Sequence, residues 1–396
     1  MKDYERLLEK VDEAIDRHAA DAVALSDDLA KNPEISEQEF ETCKKHAQFL
    51  RQAGFEVEIP FCEIPTAYRG RIGKDTGGRV ALLAEYDALP EIGHACGHNV
   101  HGAMSLLAGA GLAAVMGEVE GDLWVVGTPA EETNGAKIPM AKGGIFDEVD
   151  LALMIHCGGR DSFVSYRALA MDAMEFTFTG RAAHAAGAPW EGRNALNGAT
   201  LFFHAIDMLR QHVRPETRMH GIIHQGGAAP NIVPESAVAR FYFRSPWRSQ
   251  LDRIVEKALN AARGAAMATE TEVQWRNFEL SFDDVQPNPA AEKMMEDVFG
   301  SRGVAFGPSP GPQGSSDVGN VSKRCPTLQP TLSITPHPYA WHTREFAAAT
   351  VQPEAHEALV RGARILAAAS LRTLLSPELR ESMREDFRAE KARIVL

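Results

Sequence analysis

Between residues 55 and 155, apolar runs of strand length alternate with helical stretches, and this alternation constrains the fold more than any other feature. Residues 55–59, 67–72, 80–84, 122–126 and 151–155 read as strands. The small-residue stretch 104–115 reads as a helix packed close to its neighbours, and a short helix is expected near 136–142. The pattern predicts an α/β domain, a mostly parallel sheet with helices on both faces. Three strand ends carry unusual chemistry. They are His94-Ala95-Cys96-Gly97-His98-Asn99-Val100-His101 after 80–84, Glu131-Glu132 after 122–126, and His156-Cys157 after 151–155. In an open α/β sheet such ends can converge on one crevice.

Residues 3–53 read as helices broken at Asn32-Pro33, the second stopped by Gly54. Composition changes near residue 172. Strands are expected at 174–179, 218–224, 237–243 and 271–276, with helices at 194–213 and 250–267. That βαββαβ order is the order of a ferredoxin-like α+β unit. Beyond a return linker at 283–289 come a helix (290–299) and a Gly/Pro/Ser-rich loop (307–319). A strand (328–334), the Trp341-His342-Thr343 segment, an Ala-rich helix (354–375) and a charged helical tail (378–393) follow. The expected organisation is one discontinuous domain, 1–171 with 284–396, and a compact domain inserted at 172–283.

The 44% hydrophobic and 24% charged fractions are ordinary for a globular protein. A net charge of −13 argues against a nucleic-acid partner, and an anionic substrate would need a local basic pocket. The five cysteines are odd in number and widely spaced, which is no disulfide framework. The charged start lacks the apolar core of a signal peptide, and no run approaches the roughly 20 apolar residues of a membrane span. A cytoplasmic protein with no membrane partner is expected.

Imidazole and thiolate both bind zinc-like metals, and Cys96 and His98 alternate, so an extended segment would point both to one side. Two adjacent carboxylates repel unless a cation lies by them. A metal site resolves the conflict for Glu131 and Glu132: one ligates, and the other takes a proton from water that the metal has acidified. A solvated acidic pair at a helix start, a buried structural cysteine and a cysteine hydrolase built on Cys96 and His98 are the competing interpretations. The last leaves Glu131, Glu132, His156 and His342 without a role.

Asp87-Ala88-Leu89-Pro90, His94-Ala95-Cys96-Gly97-His98, Pro129-Ala130-Glu131-Glu132, His156 and His342, in this order, resemble the two-metal aminoacylase and carboxypeptidase-like amidohydrolases. The resemblance is to the cysteine-containing branch with auxin-conjugate, hippurate and aminobenzoyl-glutamate hydrolases. Gly314-Ser315-Ser316-Asp317-Val318-Gly319-Asn320, with Asn99 and His101, looks most like the aminobenzoyl-glutamate sub-branch. It implies that Cys96, His98, Glu132, His156 and His342 ligate divalent metal, two ions of Zn, Mn or Co per subunit, and that Glu131 is the general base. It further implies a lid and dimerisation role for the inserted domain. There His184 would stabilise the oxyanion across a homodimer, and Asn231 and Arg244 would contact the substrate. Two departures stand out: the commoner branch has His where this chain has Glu85, and the auxin-type branch has Asp where this chain has Asn99. The implied activity is metal-dependent hydrolysis of the amide bond of an N-acyl or N-aroyl amino acid or a dipeptide. Release of ammonia from an aromatic amine, or metal binding without catalysis, are the alternatives.

Overall fold

The computed structural model describes residues 2–312 and 314–392. Two compact units emerge among the described residues: one comprises 2–167 together with 285–392, the other is Ala168–Asp284.

The first unit is built on a six-stranded sheet. Its order is Glu56–Glu58, Tyr68–Gly73, Gly121–Gly127, Gly78–Ala84, Leu151–Leu153 and Thr327–Leu328. The first two pairings are antiparallel and the remaining three parallel. Gly121–Gly127 is buried along its whole length, and in Gly78–Ala84 only Arg79 reaches past the core, which is why these runs are nearly continuous in apolar residues. Helix His98–Ala113 packs close to this sheet because its glycines permit it. A Cβ on Gly109 would lie 2.7 Å from Cγ2 of Val125, and one on Gly102 would lie 2.2 Å from the Glu85 carbonyl oxygen. Helices Lys2–Lys31 and Pro353–Leu375 pack on the same helix.

Three boundaries near the strand ends differ from expectation, the first and the last for local reasons. The helix begins at His98 instead of Met104, because Gly97 adopts φ +85 and turns the chain straight into helix. Cys96 and His98 are therefore brought together by a left-handed glycine and not by an extended segment. The expected strand at 151–155 divides, and His156–Gly158 pairs in parallel with Thr331–Ser333 as a separate two-stranded sheet. The expected strand at 328–334 divides as well, at Pro330, which has no N–H to continue a ladder.

The second unit has the order βαββαβ, with a four-stranded antiparallel sheet running Glu272–Asn277, Ala170–Thr179, Ser236–Ser245, Arg218–Gln225. Helices Ala195–Leu209 and Arg248–Ala268 pack against it around Phe176, Phe178, Phe202, Phe241 and Phe243, all essentially buried. No helix among the described residues is long and apolar enough to cross a membrane.

Candidate metal centre and catalytic site

Strand Gly78–Ala84 delivers Glu85, Tyr86 and Asp87 into the interior, all buried. Asp87 organises what surrounds it. Its Oδ2 accepts the Ser36 hydroxyl at 2.7 Å and the Glu132 N–H at 3.0 Å. Its carbonyl oxygen and Oδ1 accept Nδ1–H of His98 at 2.8 and 3.1 Å. The His98 proton is thereby committed to Nδ1, and Nε2 is left as a lone pair with no hydrogen-bond partner, 3.5 Å from Glu85 and 3.9 Å from Glu132. Such carboxylate–imidazole pairing is how metal-binding histidines are oriented. Burial opposes a positive charge on His98, yet Asp87 and Cys96 outweigh it and push its pKa well above the usual value, so Nε2 attracts positive charge, a proton or in its place a metal ion. The surroundings are thus built for a cation.

His156 is oriented in the same sense. Nδ1–H donates to the Cys157 carbonyl at 2.8 Å, so the Nε2 lone pair faces Sγ of Cys96 at 3.4 Å. Trp341 packs edge-on against the ring and donates Nε1–H to the same carbonyl at 2.8 Å. The neighbouring His342 has φ +63 and hands its backbone N–H to Ala95 at 2.9 Å, which anchors it beside the cysteine loop. Its Nε2 lies 3.3 Å from Oε1 of Glu132. Cys96, His98 and Glu132 present one ligand atom each within 4.8 Å of one another. Thiolate, imidazole and carboxylate together suit Zn or a similar divalent ion.

Two other donor groups have the same spacing, Glu85 with His98, His101 and His156, and Glu85 with Glu131 and Asp317. Neither is open to a metal ion. His101 accepts the Cys157 N–H on Nδ1 at 3.2 Å, so its Nε2 carries the proton and donates to Glu85 at 2.9 Å. The three-carboxylate group already contains a cation: the Lys137 ammonium, fully buried, lies 2.6 Å from both Glu85 and Asp317. Burial resists ionisation of Glu85, but Lys137, His101 and His98 hold its carboxyl well below the usual range. Lys137 drew no attention in the sequence, since one lysine in a short helix carries no pattern. The Glu85 departure was its only trace.

Glu131 and Glu132 serve different groups, Glu131 beside Glu85 and Asp317 and Glu132 beside Cys96 and His98, and Ala130 before them sits at φ +60. Glu39, itself buried, accepts the Ala130 N–H at 2.9 Å and holds this turn. Burial, with Glu85, Glu132 and Asp317 close by, pushes the Glu131 carboxyl well above its ordinary value. Cys96, Glu131, Glu132, His156 and His342 line a cavity of about 280 Å³ with aromatic walls from Phe163, Tyr166 and Trp341. Among the described residues no lysine or arginine lines it.

The other three expected residues belong to the second unit. His184 and Asn231 lie on adjacent extended segments, joined by the Ala185 N–H to the Asn231 carbonyl at 3.0 Å. Nδ1 of His184 accepts the N–H groups of Ala186 and Gly187 at 3.2 and 2.9 Å, which leaves an exposed Nε2–H as a donor. Arg244 is half-buried, forms no ion pair among the described residues, and has an unpartnered Nε.

Residues 171–269 match the peptidase dimerisation domain of the M20 group. The chain is 33% identical over 401 residues to human Xaa-Arg dipeptidase, covering 95% of this chain and 91% of that protein. It is 31% identical over 305 residues to one of the two p-aminobenzoyl-glutamate hydrolase polypeptides of Escherichia coli, covering 72% of this chain and 63% of that protein. A solved Bacillus subtilis structure, described as a dinuclear metal binding peptidase from the M20 family, superposes with a TM-score of 0.69 at 21% identity, covering 90% of this chain and 99% of that one. With relatives of this similarity matched over nearly its whole length, and with free donor atoms converging beside a raised glutamate, the chain belongs to the M20 peptidase family and is a hydrolase of amide bonds.

Proposed function

We propose that this protein hydrolyses the amide bond of an N-acyl or N-aroyl amino acid or a dipeptide, with two divalent ions of Zn, Mn or Co held by Cys96, His98, Glu132, His156 and His342. The observation that carries this is the convergence of the partnerless His98 Nε2, the His156 Nε2 and the Cys96 thiol beside the raised carboxyl of Glu131. When bound, the metal would acidify a water molecule and polarise the substrate carbonyl. Glu131 takes the proton from that water and returns it to the leaving amine, a task that suits a carboxyl with an elevated pKa. Nε2–H of His184 donates to the oxygen on which negative charge develops. Asn231 contacts the carbonyl and Arg244 the carboxylate of the amine half. The aromatic walls of the 280 Å³ cavity suit a flat or apolar acyl group.

The inserted unit supports a homodimer in which His184 serves the opposite subunit's site, since twofold pairing is the commonest closed assembly. Five free cysteines suit the reducing cytoplasm. The test is chelation followed by reconstitution. Metal-free protein should release no amine from acyl-amino acids, dipeptides or aminobenzoyl-glutamate, and Zn, Mn or Co should restore release. Full activity in a verified metal-free preparation, or release of ammonia in place of an amino acid, would overturn the proposal.

A further inference from the structure

Amide hydrolysis puts negative charge on the carbonyl oxygen, and that oxygen needs hydrogen-bond donors placed in advance. On the wall of the 280 Å³ cavity, Cys96, Glu132, His156 and His342 are proposed ligands and Glu131 is the proposed base. Trp341 has its one side-chain N–H committed to the Cys157 carbonyl. The side-chain donors left there are the Tyr166 hydroxyl, the Gln329 amide and the hydroxyls of Ser315 and Ser316. Tyr166 is the best anchored of these, because its segment is tied down on both sides. Phe163 exchanges two backbone hydrogen bonds, of 3.1 and 2.9 Å, with Thr331, which is the strand partner of His156. Glu292, on helix Pro289–Ser301, accepts the Ser165 hydroxyl at 2.7 Å through one oxygen and Nη1–H of Arg167 at 2.8 Å through the other. The residues before and after Tyr166 thus share one carboxylate.

The Tyr166 ring is half-buried, and its hydroxyl has no hydrogen-bond partner among the described residues. Burial pushes the phenol pKa up, and of the charges that push it further Glu131 comes first, ahead of Glu85 and Cys96. The hydroxyl therefore keeps its proton and lies near the proposed base. Ser315 and Ser316 belong to the Gly/Pro/Ser-rich loop, and Oγ of Ser316 already accepts the Val318 N–H at 3.4 Å. A phenol, with an ordinary pKa of about 10, is also a stronger donor than an aliphatic hydroxyl or an amide N–H. We infer that Tyr166 is a catalytic residue whose O–H donates a hydrogen bond to the scissile carbonyl oxygen as negative charge develops there. The phenol transfers no proton: its bond to that oxygen strengthens as the tetrahedral state forms and relaxes when the amine leaves. This rests on the hydrolase activity proposed above, and it supplies a donor from the unit that carries the ligands.

The test is Tyr166→Phe, which keeps the ring and removes only the donor. Metal-loaded variant and wild type are assayed on acyl-amino acids and dipeptides. The variant should lose kcat about 100- to 1,000-fold with KM little changed, the scale on which one oxyanion donor is felt. Its metal content and melting midpoint should match wild type. A phosphinate replacing the scissile amide of the best substrate places tetrahedral oxygens where the charge develops. Its inhibition constant should rise by a similar factor in the variant, while inhibition by the product amino acid stays as in wild type. Unchanged turnover, equal weakening of phosphinate and product, or loss of bound metal in step with activity would each reduce Tyr166 to a supporting wall and overturn the inference. A solved structure of wild type with the phosphinate needs no variant to fold. Oη of Tyr166 should lie within about 3 Å of a phosphinate oxygen, and a phenol turned elsewhere refutes the role. Wild type that releases amine from no substrate overturns the hydrolase proposal and this inference with it. Active wild type beside an equally active Tyr166→Phe overturns this inference alone.

Discussion

Replacement of Lys137 by methionine tests the charge arrangement behind the site. The ammonium is fully buried and makes ion pairs of 2.6 Å with Glu85 and Asp317, and Oδ2 of Asp317 also accepts the Lys137 amide N–H at 3.1 Å. Methionine fills similar volume, so little cavity is created, and the change leaves two buried carboxylates facing a thioether. Breaking a buried ion pair by removing one partner costs about 3–5 kcal/mol. One escape limits the loss. Burial already pushes the Asp317 carboxyl up to about 6 despite Lys137, and without the lysine it can stay protonated in the folded state. A cost near the lower end, about 3 kcal/mol, is therefore expected at pH 8, and at about 2 °C per kcal/mol for a large domain the melting midpoint should fall by about 6 °C. The sign with pH is fixed. In the variant Asp317, already raised by burial, loses the cation that opposes burial, and Glu85 loses the largest of the contacts that hold it low, so stability is lost as pH rises and the deficit shrinks toward pH 4. Lys137→Met combined with Asp317→Asn should lose less than the sum of the two changes, because the second removes a charge the first left unpaired. Calorimetry or circular dichroism melts of matched metal-free samples at pH 5 and pH 8 measure all of this. A fall below about 2 °C at pH 8, or a deficit independent of pH, would refute the ammonium as the counter-charge of this cluster.

Three further expectations concern the site itself. Glu131→Gln should keep bound metal while losing turnover about 100- to 10,000-fold, and Glu132→Gln should lose metal affinity too; metal analysis beside kinetics decides, and the opposite pattern would exchange their roles. Mixing inactive His184→Ala subunits with inactive Glu131→Gln subunits should recover activity, because a heterodimer contains one site with both defects and one with neither; no recovery despite demonstrated exchange would place His184 in its own chain's site or outside catalysis. Glu39 is pushed up to about 7 by burial and then by Asp87, so its contribution to stability is present below about pH 4.5 and is lost as pH rises through 7. Glu39→Gln keeps an acceptor for the Ala130 N–H and cannot ionise, so it should gain about 1–3 kcal/mol on wild type between pH 5 and pH 8, and equal pH slopes in thermal melts would contradict this.

The elements were legible because each obeys a local rule. Alternation along 174–179, continuous apolar runs at Gly78–Ala84 and Gly121–Gly127, and Gly54 at φ +91 after Phe40–Gln52 are properties of neighbouring residues. So is the resemblance carried by the cysteine–histidine and glutamate motifs, which lie in short continuous segments. Boundaries at strand ends were less legible. His156 joined a second pairing with Thr331–Ser333 that depends on residues far along the chain.

What the sequence by itself determined is therefore the order of strands and helices and the presence of metal-binding and proton-transferring residue types at successive strand ends. The tertiary structure decided which atoms of those residues are free. Asp87 commits the His98 proton to Nδ1, the Cys157 carbonyl does the same for His156, and the Cys157 N–H closes His101 to a metal. It also brought Lys137 to Asp317, 180 positions away, and so filled with an ammonium ion a carboxylate group that could otherwise hold a metal. The physical reason is that a side chain's lone pairs and charge are set by the partners that desolvate it, and in a buried site those partners come from segments with no sequence proximity.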